Sequence, residues 1–86
     1  MIEKTVIFGR NAVLSAKEAA TFVAEAKKYD SEIWIEKGSR RVDGRSIMSI
    51  MSLAGLKDNI LTIGADGVDE VAAVDVLYKT VQSCAG

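Results

Sequence analysis

The sequence has 86 residues, 49% of them hydrophobic and 27% charged. This composition excludes a disordered chain, a collagen or a coiled coil, and predicts one small domain over 1–86. Eleven basic against twelve acidic residues leave a net charge of −1, which argues against a protein held to nucleic acid by bulk electrostatics. No apolar run approaches the ~20 residues of a membrane span.

Histidine is absent, and cysteine occurs once, at Cys84. The chain therefore lacks the usual general acid–base and the commonest metal ligand. One cysteine allows neither a disulfide framework nor a metal site of Cys and His ligands. We expect no cofactor and no metal. Since no secretory signal pattern opens the chain, the free thiol predicts a cytoplasmic protein.

The first predicted elements are a strand and a helix. Residues 3–8 are rich in β-branched and aromatic side chains, which is typical of a strand. Ser15 and Glu18 match the capping-box pattern, in which a serine opens a helix and a glutamate follows three positions later. A helix is therefore predicted over 16–28, with apolar positions at helical spacing at Ala16, Ala19, Ala20, Val23 and Ala26.

A β-hairpin is predicted next. Residues 32–37 alternate, with Ile33 and Ile35 on the same face, which predicts a strand with one buried face. Gly38 and the serine after it predict a two-residue turn into a strand over 40–42. The basic side chains of the hairpin are expected to form a solvated strand edge: Lys37, Arg40 and Arg41.

The second half predicts a short helix, a strand and a longer helix. Ser46 can cap a helix over 46–53, and residues 59–65 have the composition of a strand. The last helix carries an apolar stripe formed by Val71, Val74, Leu77, Tyr78 and Val81. The order β-α-β-β-α-β-α predicts an α+β fold, with helices on one face of a four-stranded antiparallel sheet.

Several segments of the chain resemble HPr, the phosphocarrier protein of the bacterial sugar phosphotransferase system, and its paralogue Crh. The most specific segment is 45–53, Arg-Ser-Ile-Met-Ser-Ile-Met-Ser-Leu, which is similar to the segment that carries the family's regulatory serine. Three further segments resemble the family: Phe22–Ala26, Ile33–Gly38, and Gly67 with Asp69 and Glu70. The resemblance implies an HPr-like open-faced sandwich with three helices.

The chain departs from the family at its active centre. The family motif is Gly-Leu/Ile-His-Ala-Arg-Pro-Ala, and the matching stretch here is 13–19. Ser15 stands in place of the histidine, Lys17 in place of the arginine and Glu18 in place of the proline. A serine hydroxyl is a poor nucleophile without a base to activate it. We therefore predict no catalytic residue and no enzyme activity, and interpret Ser15 as a helix cap, with a phosphoacceptor role as the alternative.

The helix that follows Ser46 is predicted to combine a cap, a modification site and a docking surface. The resemblance implies that Ser46 is a regulatory phosphorylation site, a role compatible with an N-cap. The helix is apolar nearly all round, and Ile50 and Leu53 can reach the sheet. The other apolar side chains form a candidate partner-binding surface with Lys17: Ile47, Met48 and Met51. The alternative is that these three are core.

Three functions compete. The first is a regulatory protein akin to Crh, phosphorylated on Ser46 by an HPr kinase and bound by a LacI-type catabolite regulator. The second is an unmodified module that docks on phosphotransferase components or on a metabolic enzyme. The third is a small acylphosphatase-like enzyme, for which Arg10 and Asn11 offer suitable residue types without a matching motif. The sequence favours the first.

Overall fold

A computed structural model describes residues 1–85 and contains four strands and three α-helices. A single turn of 3₁₀-helix, Leu53–Gly55, extends the second helix. In chain order the elements are β1 (Ile2–Ile7), α1 (Ala16–Ala26), β2 (Glu32–Lys37), β3 (Arg40–Asp43), α2 (Ile47–Ser52), β4 (Ile60–Asp66) and α3 (Glu70–Ala85).

The strands form one antiparallel sheet in the order β1-β4-β2-β3. Ile35 pairs with Ile63 across the two central strands, and both side chains are fully buried under the helices. Gly38, with a φ of 59°, makes the turn between β2 and β3, a backbone conformation that glycine adopts without strain. The α+β open sandwich predicted from the element order is confirmed. No helix within residues 1–85 is long and apolar enough to cross a membrane.

The buried faces of α1 and α3 differ from the predicted stripes. On α1, Ala16 and Ala20 are exposed, and Phe22 completes the buried face instead. On α3, Val71 is exposed, because the buried stripe is centred near Ala73 and Val74. At 3.6 residues per turn, Val71 lies about 100° around the helix from that centre.

Lys37 corrects the predicted strand edge. Arg40 and Arg41 are exposed on the edge strand β3, as predicted, but Lys37 lies on the central strand β2 and is fully buried. Its Nζ has no hydrogen-bond partner within residues 1–85. Alternation along β2 places Lys37 on the same inner face as Ile33 and Ile35. Burial lowers the pKa of Lys37, and the nearby Asp58 carboxylate opposes that shift.

Trp34 covers the opposite face of the sheet. It is 6% exposed, and its Nε1 donates to Glu3 at 3.2 Å while the Arg41 guanidinium stacks on the ring at 4.6 Å. The ring lies over Gly64, where an added Cβ would come 2.1 Å from the Trp34 Cε2. The strand 32–37 is therefore buried on both faces at this point, and the prediction of a single buried face was wrong.

Candidate functional site: two helix starts

Ser15 opens α1 with a complete capping box. Its Oγ accepts from the Glu18 backbone N–H at 3.1 Å, and its own N–H donates to Glu18 Oε1 at 2.8 Å. The Ser15 N–H bond is the first cause of the lowered Glu18 pKa, followed by the Cys84 thiol. The N-cap interpretation of Ser15 is thus confirmed. Its backbone N–H and its hydroxyl are both hydrogen-bonded to Glu18.

The surroundings of Ser15 are polar, and they include the end of the last helix. An open groove of about 380 Å³ is lined by Ser15, Lys17, Glu18, Thr21, Thr80, Ser83 and Cys84. Burial raises the pKa of the Cys84 thiol to about 11, with the Glu18 carboxylate as the next cause. Cys84 is therefore a protonated thiol at neutral pH, which is a poor nucleophile. Arg10 Nη2 donates to the Cys84 carbonyl at 2.9 Å and so satisfies the end of α3.

Ser46 opens α2 with a simpler cap. Its Oγ accepts from the Ser49 backbone N–H at 3.2 Å, and no acidic residue lies in the first turn of the helix. Ser46 itself is half-buried. The predicted helix start at Ser46 is confirmed, although the α-helical part ends at Ser52.

The predicted partner-binding side chains fall into two groups. Met48 is 84% exposed and Ile47 is 42% exposed, so both are open to solvent beside Ser46. Met51 is partly buried and packs against the core, which Ile50 and Leu53 on the same helix enter fully. Lys17 is exposed on α1. The structure thus leaves Lys17, Ile47 and Met48 accessible, and gives Met51 a shared role in packing.

The two helix starts lie on packed neighbours. Helices α1 and α2 are in contact. The segment that leads into Ser15 and the helix that follows Ser46 also line one small cavity, through Ala12, Leu14, Ile50 and Leu53. Val13, in the same leading segment, is 38% exposed. Apolar side chains from the segment before Ser15 and from the helical segment after Ser46 therefore meet in one part of the fold.

A hydrogen-bond network beside Ser46 escaped the sequence analysis. The Arg45 guanidinium donates to the carbonyls of Tyr29 and Ser31, and the Asp69 carboxylate accepts from the backbone N–H groups of Asp30 and Ser31. The Ser31 hydroxyl also donates to Asp69 and is the first cause of its lowered pKa. Partners 14 to 39 residues apart give no local pattern, so only the similarity of 67–70 to the family helix start hinted at this network.

Comparison with known proteins identifies the family. Residues 2–83 match the family model described as PTS HPr component phosphorylation site. The HPr-like protein Crh of Halalkalibacterium halodurans is 39% identical over 82 residues, which cover 95% of this chain and 98% of the relative. The phosphocarrier protein HPr of Neisseria meningitidis serogroup A is 30% identical over 86 residues, or 100% and 97% of the two chains. The chain belongs to the HPr family.

Solved structures agree with this assignment. HPr-C-His of Thermoanaerobacter tengcongensis superposes with a TM-score of 0.83 at 38% identity, covering 96% of this chain and 93% of the other. Crh of Bacillus subtilis, described as a catabolite repression protein with a swapped domain in its dimer, gives 0.75 at 36% identity, with coverage of 96% and 95%. The chain is thus an HPr-like and Crh-like protein related to the phosphotransferase system, and its open sandwich is the fold of these relatives.

Proposed function

We propose that this protein is a cytoplasmic, Crh-like regulator related to the phosphoenolpyruvate-dependent sugar phosphotransferase system. It acts through phosphorylation of Ser46 and through protein binding in carbon catabolite regulation, and it is neither a phosphohistidine carrier nor an enzyme. The observation that carries the proposal is the juxtaposition of the Ser46 cap with the exposed side chains of Ile47 and Met48.

The chemistry at Ser15 supports the proposal that the protein is not a phosphohistidine carrier. The sequence contains no histidine to carry a labile phosphoryl group. Glu18 holds the Ser15 N–H and places a carboxylate at the helix start, where an incoming phosphoryl group would meet a like charge. Lys17 keeps a positive charge but lacks the planar fork with which arginine grips a phosphate.

The chemistry at Ser46 supports the proposal that this serine is phosphorylated. A phosphate on this hydroxyl adds about two negative charges at pH 7. No carboxylate lies in the first turn of α2 to repel it, and negative charge is favoured beside the first turn of a helix. Ile50 and Leu53 anchor α2 in the core independently of Ser46. Phosphorylation should therefore change the charge of the surface while leaving the fold intact.

The proposed partners are proteins. An HPr kinase/phosphorylase-like kinase would modify Ser46, and a LacI-type catabolite regulator or a phosphotransferase component would bind the product. The phosphate would attract basic side chains of the partner. Lys17, Ile47 and Met48 would provide the neighbouring contacts, with Met51 at the margin of the surface. No metal, membrane or nucleic acid takes part in this proposal.

Phosphorylation by an HPr kinase tests the proposal. The chain is incubated with the kinase and ATP, and intact mass is recorded over time. We expect one phosphoryl group on the wild type and none on Ser46→Ala. Ser49→Ala and Ser52→Ala are matched controls on the same helix and should accept one group. Modification that persists in Ser46→Ala, or a wild type that stays unmodified, contradicts the proposal.

Exposure of Ile47 and Met48 without any modification favours one alternative, a docking module that works unphosphorylated. Titration of the same partner with the unmodified and the phosphorylated protein separates the two functions. The proposed regulator requires the phosphorylated protein to bind at least ~10-fold more tightly, since charge-assisted hydrogen bonds contribute ~1.5–3 kcal/mol. Equal affinities would favour the docking module.

A further inference from the structure

Arg45 joins the loop that carries Ser46 to a second loop of the protein. Its Nη2 donates to the Ser31 carbonyl at 2.8 Å and also to the Tyr29 carbonyl. These acceptors lie between α1 and β2, whereas Arg45 lies between β3 and α2. The side chain is half-buried. Arg45 therefore links the loop between β3 and α2 to the loop between α1 and β2. Although Arg45 is adjacent to Ser46 in the chain, its guanidinium is bonded to the carbonyls of Tyr29 and Ser31.

Three backbone N–H groups of the loop around Ser46 also donate hydrogen bonds. The Gly44 N–H donates to the Ile33 carbonyl at 2.9 Å and the Ser46 N–H to the Asp43 carbonyl at 3.3 Å. The Arg45 N–H donates to Asp43 Oδ1 at 2.9 Å. Gly44 lies so close to Ile33 that an added Cβ would come 2.6 Å from the Ile33 Cγ2. Arg45 is thus the side chain of residues 44–46 that ties this loop to a distant segment.

The second loop is itself fixed to the start of α3. Asp69 accepts from the Asp30 N–H at 2.8 Å and from the Ser31 N–H at 2.9 Å, and it also accepts from the Ser31 hydroxyl. Charged hydrogen bonds of this kind are about twice as strong as neutral ones. The start of α3, the 29–31 loop and the Ser46 loop are therefore connected in series through Asp69 and Arg45.

We infer that Arg45 is a positioning residue for Ser46, which it holds through the 29–31 loop, and that it is not a ligand of the phosphate. This inference rests on the proposed function. A kinase transfers a phosphoryl group only when the acceptor hydroxyl is aligned with that group. A displacement of the hydroxyl by ~1 Å can cost ~100-fold in rate. Because Ile50 and Leu53 hold α2 without Arg45, loss of Arg45 frees the Ser46 loop while the docking side chains stay in place.

The kinetic test uses Arg45→Met, which keeps an apolar stem and removes the donor. We expect kcat for Ser46 phosphorylation to fall about 10-fold or more, and KM to change less than about twofold. Arg45→Lys should recover most of the rate, because one nitrogen serves both carbonyls and an ammonium group carries three donors. Arg40→Met, an exposed arginine on β3, is the control and should match the wild type.

Amide hydrogen exchange measures, without a kinase, how firmly Arg45 holds the Ser46 loop. In Arg45→Met, the Gly44 and Ser46 amides should exchange at least ~10-fold faster, while Leu77 and Val81 in the core of α3 keep their protection. Asp69→Asn weakens the other end of the connection and should accelerate the Ser46 amide as well, although Asp69 makes no hydrogen bond to residues 43–46. Asp75→Asn on the same helix is its control.

The two measurements separate failure of the inference from failure of the proposed function. Unchanged exchange in Arg45→Met overturns the inference, and so does faster exchange with an unchanged kcat. A rise in KM alone also overturns it, because that result would make Arg45 a direct contact of the kinase. A wild type that no kinase modifies refutes the proposed function, and the exchange data then decide alone whether Arg45 holds the loop.

Discussion

Two serines open two helices in this protein, and their surroundings give them different chemistry. Ser15 and Ser46 each accept a backbone N–H three residues ahead, at 3.1 and 3.2 Å. At Ser15 a glutamate completes the capping box, and a groove lined mainly by polar and charged residues lies alongside. At Ser46 the first turn carries no acid, and exposed apolar side chains follow. The cap is common to both sites, and the neighbours decide what each site can do.

The two helix starts differ in what their serines contact, and this difference supports the proposal that Ser46, rather than Ser15, accepts a phosphoryl group. At α1 the serine hydroxyl, the backbone N–H and the glutamate are all engaged with one another. At α2 the backbone N–H of Ser46 bonds to Asp43 instead, and the hydroxyl accepts a single bond. A carboxylate therefore binds the backbone N–H of the first capping serine. At the second start the Asp43 carboxylate binds the Arg45 N–H instead, and the first turn of α2 carries no acidic residue.

Rebuilding the family motif at α1 should have the largest effect. The wild type should form no acid-labile phosphoprotein with phosphoenolpyruvate and Enzyme I. Ser15→His alone should transfer at least ~100-fold more slowly than Ser15→His combined with Lys17→Arg and Glu18→Pro. Removing one hydrogen-bond donor to developing negative charge typically costs ~10²–10³-fold in rate. Radiolabel transfer followed on acid and neutral gels measures both. Equal rates for the single and triple variants would show that Glu18 does not oppose phosphate at this site.

Variants of two methionines test the proposed docking surface beside Ser46. Met48→Ala should leave stability within about 0.5 kcal/mol, because the side chain is 84% exposed, and should weaken partner binding by over ~1 kcal/mol. Met51→Ala should lower both binding and stability. Its stability loss should stay below the ~2–5 kcal/mol of a fully buried methionine, since it is only partly buried.

For each methionine variant, urea unfolding measures stability. Titration of the Ser46-phosphorylated variant against the partner measures binding. Val68→Ala is the matched control, an apolar side chain 92% exposed on another part of the surface. It should change neither quantity. If Met48→Ala binds as well as the wild type while Val68→Ala binds less well, the partner uses a different surface and the contrast between the two helix starts loses its functional meaning.

Sequence reasoning succeeded where the determinants were local. The capping box at Ser15 and the Ser46 cap depend on residues three positions apart, and alternation along β2 identified Ile33 and Ile35 as core. It failed where a long-range neighbour decides. Lys37 looks like a surface residue, yet strand order makes β2 central and buries it. Trp34 is buried only because Gly64, thirty residues further on, leaves room for its ring.

The same division holds within the candidate site. The candidate residues Ser15, Lys17 and Ser46 follow from a motif read along the chain, and their exposure or cap geometry agrees with it. The attachment of Arg45 to Tyr29 and Ser31 could not be foreseen, because two separate connections of the chain must first be packed together. Packing also decided between Met48 and Met51, which are equivalent by residue type but differ in burial.

Removing each cap in turn tests whether the two starts are equivalent in stability. Ser15→Ala should cost about 1 kcal/mol, which lowers the melting temperature of a domain this size by roughly 4–8 °C. Ser46→Ala should cost at least as much, because the Ser49 N–H it leaves without a partner is partly buried, whereas the Glu18 N–H is exposed. Ser52→Ala, exposed at the end of α2, should shift the melting curve least. A cost at Ser15 well above that at Ser46 would reverse the expected order.

The smallest expected effect is the pH dependence of the capping box. The Glu18 pKa is lowered in the folded protein, first by the Ser15 N–H. A carboxylate with a lowered pKa stabilises the fold above its unfolded pKa, and this stabilisation is lost as the pH falls through the folded value. Glu18→Gln keeps a capping side chain without a titrating charge. The wild type should therefore exceed Glu18→Gln in stability by no more than about 1 kcal/mol at pH 7, since Glu18 is near the surface. In urea unfolding the difference should shrink progressively as the pH falls below the ordinary glutamate value of 4.5. Glu32→Gln, an exposed strand carboxylate, controls for simple loss of a charge.

Since α2 has no acidic partner in its first turn, the loss of stability in Ser46→Ala should stay constant over the same pH range. A Ser46→Ala deficit that varied with pH as steeply as the Glu18 difference would mean that the two caps share their electrostatics, contrary to the contrast drawn between them.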